Sequence, residues 1–117
     1  MEYTEEFLKK ITQCGTLCYP LSKIINVVDI KDEIQFIKDF DNPKSNISKA
    51  FQKGMDKADF ILDSKLFEMA SGGDLKAMEK YEARKKNQIK ESEKELKDRQ
   101  FHTRHTKFNS NAIKHEN

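Results

Sequence analysis

Two cysteines and three histidines are the residues of this sequence that could hold a metal or act as nucleophile and base. Cys14 and Cys18 stand four residues apart, one turn on a helix, a poor spacing for a disulfide on regular helix. Two buried, reduced thiols are the expected state, as in a reducing cytosol. A zinc site would have to join them to His102 and His105, more than eighty residues further on. Structural zinc sites use much tighter spacings, so that reading is set aside. No His falls beside a Ser or Cys, and the sequence holds no GxGxxG, P-loop or HExxH pattern. The many acids sit at positions that face solvent on helices. Neither a catalytic centre nor a cofactor is expected.

The elements come next. The 117 residues contain four Gly and two Pro, and hydrophobic and charged residues each make up 36%. Few breakers and scarce core material describe long helices that complete their cores by association. The longest apolar runs are two or three residues, too short for a membrane span, and the acidic Met1–Glu6 start is unlike a signal peptide. A cytoplasmic protein with no membrane partner is therefore expected.

Residues 4–13 place Phe7, Leu8 and Ile11 on one stripe, with Thr4 as N-cap and Cys14-Gly15 as the stop. After Pro20, Leu21, Ile24, Ile25 and Val28 repeat at helical spacing. Asp29-Ile30 is the joint to a third helix, with Asp29 as cap and Ile34, Ile37 and Phe40 inward. Two short helices across a tight turn, with a supporting helix before them, outline a helix-turn-helix, an outline shared by any three-helix bundle.

Pro43 closes that unit. From Asn46 to Ala70 the stripe Ile47, Phe51, Met55, Ala58, Leu62, Leu66, Met69 keeps one face of a long helix, while Phe60, Ile61 and Phe67 lie off it. Two apolar faces predict two neighbours, one of them from another subunit. Ser71-Gly72-Gly73-Asp74 is a C-terminal turn followed by an N-cap, and Leu75, Met78 and Tyr81 or Glu82 continue on a returning helix. The fold class expected is all-α. It comprises a helix-turn-helix over 1–42, a long αα-hairpin oligomerisation region over 43–98 and a flexible basic tail over 99–117. Phe51, Met55, Leu62, Leu66, Met69 and Met78 are the candidate oligomerisation residues.

The net charge of +2 is uneven. Residues 1–48 carry six Lys against eight acids and residues 49–74 four against five, whereas residues 75–117 carry twelve Lys and Arg against seven. Attraction to a polyanion would come mainly from the C-terminal part.

In this order the elements resemble the small terminase subunits of tailed bacteriophages. The resemblance covers roughly residues 17–86 and rests on the helix-turn-helix at Leu21–Phe40, then AFQKGMDKADFILDSKLFEMA, then SGGDLKAMEKYEARKK. The matching positions are Gly54, Ala70, Gly73, Asp74 and Ala77. The resemblance implies a non-enzymatic adaptor that assembles as a homo-oligomeric ring. Such an adaptor binds double-stranded viral DNA and regulates the large ATPase and nuclease subunit, its C-terminal segment contacting that subunit. Lys31, Gln35 and Lys38 of the segment Lys31–Phe40, with Lys44, are the candidate DNA contacts at one end. Arg104 and Lys107 of the tail are those at the other. Asp32, Glu33 and Asp39 offset the first group, so helix and tail stay equal alternatives. Two further readings use the same elements: a transcriptional regulator dimerising through 46–95, and a helical interaction protein that holds no nucleic acid.

Overall fold

The computed structural model describes the backbone of residues 2–116 and the side chains of residues 2–101. The described residues form five helices and no strand, so the chain is all-α. The helices are α1 (Glu5–Thr16), α2 (Leu21–Val27), α3 (Glu33–Asp41), α4 (Asn46–Ser71) and α5 (Leu75–Glu116). Two compact units divide the chain within α4, between Lys65 and Leu66. The 42/43 boundary suggested by the sequence falls just after α3.

In the first unit, Thr4 caps α1 by accepting the Phe7 N–H at 3.1 Å, and Glu5 and Glu6 complement the positive end of the helix. Cys14-Gly15 is not the stop. Gly15 is buried inside α1, where a Cβ would lie 2.0 Å from the carbonyl oxygen of Phe51 on α4. A Cβ on Gly54 of α4 would in turn lie 1.9 Å from the Thr12 carbonyl oxygen. The two helices cross backbone to backbone, which glycine alone permits. The helix ends at Thr16, and Cys18 beyond it stands in the left-handed region at φ 55°. There Cys18 N–H bonds to Gly15 O and Tyr19 N–H to Cys14 O, a Schellman closure without glycine. Cys14 is buried, but Cys18 is exposed, contrary to the expectation of two buried thiols; both are free.

Ile11, Cys14, Ile24, Val28, Phe36 and Ile47 form the core of this unit. Around it runs a ring series Tyr3–Phe7–Phe36–Phe40–Phe51, with neighbouring centroids 5.2, 6.0, 6.3 and 5.2 Å apart. The third helix starts later than its apolar spacing predicted. Asp32, not Asp29, is its cap, accepting the Gln35 N–H at 3.1 Å. The inward face also differs from the expected one: Phe36 is fully buried, whereas Ile34 is 72% exposed. Ser45 links α3 to α4. Its hydroxyl donates to Asp39 O, and its oxygen accepts the Ser48 N–H at 3.1 Å in the first turn of α4.

The second unit begins with the last residues of α4. Gly73, at φ 100°, takes the left-handed position, Gly73 N–H bonds to Ala70 O and Asp74 N–H to Met69 O. Asp74 then caps α5 by accepting the Ala77 N–H at 3.0 Å. This is the glycine turn and cap read from the sequence. Leu66, Ala70 and Ala77 are buried, and the rings of Phe67 and Tyr81 lie 5.5 Å apart. The helix α5 runs unbroken past residue 98, where a flexible tail was expected to begin. Residues 75–117 contain neither Gly nor Pro, and Glu95 pairs with Arg99 one turn on at 3.8 Å.

Candidate interaction surfaces

Among the described residues, no polar or charged side chain is buried, and no group of three His, Cys, Asp or Glu comes together to hold a metal. His102 and His105 lie outside the described side chains. None of the described helices is long and apolar enough to cross a membrane. Three features of the described surface stand out.

The first is α3 with the segment before it. Lys31 lies ahead of the Asp32 cap, off the helix, so the segment Lys31–Phe40 is not a single recognition helix. Gln35 is half-buried and its amide donates to Asp39 Oδ1 at 3.0 Å. Asp39 also accepts the Tyr3 hydroxyl at 2.5 Å. The Tyr3 bond, ahead of other causes, holds the Asp39 carboxyl below the usual range. Tyr3 is pushed up to about 12, first by burial and then by that same bond and charge. Gln35 and Asp39 thus tie the N-terminal segment to α3. Lys38 is the lysine that α3 itself exposes, with Lys31 and Lys44 exposed on either side of the helix. Residues 31–41 hold two lysines against four carboxylates.

The second feature is the set of apolar side chains in each unit, and the oligomerisation candidates divide into buried and open ones. Phe51 is half-buried against Phe40 in its own unit, and Met55 is also half-buried. Leu66 is buried, at 9% exposure. Leu62, Met69 and Met78 remain open at 47%, 50% and 41%. The off-stripe residues are open as well: Phe60 and Ile61 in the first unit, Phe67 in the second. On α5, Leu75, Ile89 and Leu96 are exposed and fall on one heptad line, with Met78 three residues after the first. The sparse apolar content beyond Ala83 hides this line from a reading by composition.

The third surface is one that a charge count over 49–74 conceals. Lys49, Lys53 and Lys57 recur every four residues on the outward side of α4, all exposed. They line a groove bounded by Pro43 and Phe60, and Lys9 of α1 borders the adjoining depression with Lys49 and Lys53. Their spacing opposite the apolar stripe is the signal that could have found them. The side chains of Arg104 and Lys107 lie outside the described residues. No protein-family model, curated protein or solved structure matches the chain.

Proposed function

We propose that this chain is a small terminase subunit, a non-enzymatic adaptor of phage genome packaging that assembles through α4 and α5. On this reading α1–α3 contain the helix-turn-helix, and α4 with α5 forms the αα-hairpin that packs against copies of itself. The assembly holds double-stranded viral DNA in the host cytoplasm and presents it to the large ATPase and nuclease subunit. The observation that carries the reading is the set of large apolar residues left open. Phe60, Ile61 and Leu62 in one unit, and Phe67, Met69, Leu75, Met78, Ile89 and Leu96 in the other, are all more than 40% exposed. Large apolar side chains left open in each unit are the kind of feature that marks an interaction site. Four of the positions that carry the resemblance also have structural roles. Gly54 permits the close crossing, Gly73 makes the turn, Asp74 caps α5 and Ala77 supplies a small buried contact.

A second reading, a helical interaction protein without nucleic acid, draws support from α3. Its charge balance is acidic and its Gln35 is committed to Asp39. Weak sites in a ring would still add through avidity. Light scattering on the purified full chain tests the assembly: a large closed oligomer, on the order of eight or more subunits, supports the adaptor. A stable dimer favours the regulator, and a monomer at micromolar concentration removes both. Co-purification with a large ATPase and nuclease subunit separates the adaptor from the protein that holds no nucleic acid.

A further inference from the structure

We infer that the outward face of α4, rather than α3, docks the phosphate backbone of duplex DNA through Lys49, Lys53 and Lys57, with Lys9 of α1 beside them. The inference deepens the proposed function and rests on its DNA-holding part. Lysines four residues apart repel one another and weaken a helix, so a row of three lysines against one acid suits an anionic partner. Asp56, the one carboxylate within residues 49–57, lines the same groove and offsets part of that charge while accepting from the Gln52 amide at 3.1 Å, and Glu5 borders the depression beside Lys9. Residues 49–57 therefore hold three lysines against one carboxylate, the reverse of the balance on residues 31–41.

Geometry adds to charge. Each four-residue step advances about 6 Å along a helix, so the row extends about 12 Å. A duplex carries one charge per about 1.7 Å of axis, which places about seven phosphate charges along that length. The row is also rigid, because its helix buries Ile47 on the opposite side and crosses α1 backbone to backbone at Gly54. Phe60 and Ile61, both exposed, share the groove with the lysines, so a bilayer of anionic lipid is the competing partner that the test must separate from a duplex.

Fluorescence anisotropy of a labelled 20-base-pair duplex with the full chain tests this at several salt concentrations. The variants are Lys49→Gln/Lys53→Gln/Lys57→Gln, its arginine counterpart, and Lys31→Gln/Lys38→Gln. The glutamine row variant should bind at least about tenfold more weakly and lose about two to three from its log–log salt slope, at about 0.9 per phosphate contact. The arginine variant should keep both, and the α3 variant should change little. Circular dichroism melts of all three should be no lower than the parent's, since the lysines are exposed and the glutamine row relieves their mutual repulsion. If the parent binds duplex and the glutamine row variant keeps its affinity and slope, the inference is overturned while DNA binding stands. If the parent binds no duplex even at 50 mM salt, both fall. Binding only to an acidic protein or to anionic vesicles overturns the inference as well.

Discussion

Gly54 lies so close to the backbone of α1 that a Cβ there would stand 1.9 Å from the carbonyl oxygen of Thr12. The neighbour is main chain, which cannot swing aside, and Thr16 spans the same crossing by donating its hydroxyl to the Gly54 carbonyl at 3.3 Å. Gly54→Ala must push the helices apart. Overpacking of this kind costs about 1–3 kcal/mol, and a main-chain clash belongs at the upper end. Urea unfolding followed by circular dichroism checks it; an unchanged midpoint would mean that the crossing is looser.

Cys18 and Gly73 hold the left-handed position in the two Schellman closures, at φ 55° and φ 100°. The side chain at Cys18 is strained there by about 1–2 kcal/mol, and glycine gives back part of that in chain entropy, so Cys18→Gly should stabilise the protein by about 0.5–1 kcal/mol. Gly73 has open space where a Cβ would be, so the backbone angle alone sets its penalty. Gly73→Val should destabilise by more than about 1 kcal/mol, because a β-branched residue fits that region worst. Thermal melts of the two variants should move in opposite directions.

Tyr3→Phe removes the hydroxyl that binds Asp39. Asp39 has its carboxyl lowered, so its contribution is present above the ordinary value of about 3.9 and is lost as pH falls through the folded value. Tyr3 is raised to about 12. Its contribution is present below the ordinary tyrosine value of about 10 and disappears as pH rises from there through the folded value. The stability gap between parent and Tyr3→Phe should be flat near neutrality and narrow at both ends. Urea melts at pH 3, 7 and 11 measure it, and a gap independent of pH would remove the Tyr3–Asp39 bond as its source.

Leu62 is 47% exposed, so a charge there costs its own unit little. Leu62→Asp should therefore leave the monomer fold intact and shrink the assembled species seen by light scattering, since an unpaired charge is costly in a buried contact. An oligomer of unchanged mass would place Leu62 outside the interface.

Helix count, the caps at Thr4 and Asp74 and the glycine turn at Gly73 were legible in the sequence, because they depend on side chains within a few residues of each other. The all-α class followed from apolar spacing for the same local reason. Gly15 was misread because a glycine that ends a helix and one that lets another helix approach look identical until the partner, Phe51, is in place. The inward face of α3 carries Phe36 rather than Ile34, because spacing fixes only which residues share a face, and packing on Phe7 and Phe40 decides which face turns inward. Likewise, spacing put Phe51 and Leu62 on one stripe. Only tertiary packing draws the first into the core and leaves the second open, because exposure depends on how far the neighbouring helices reach.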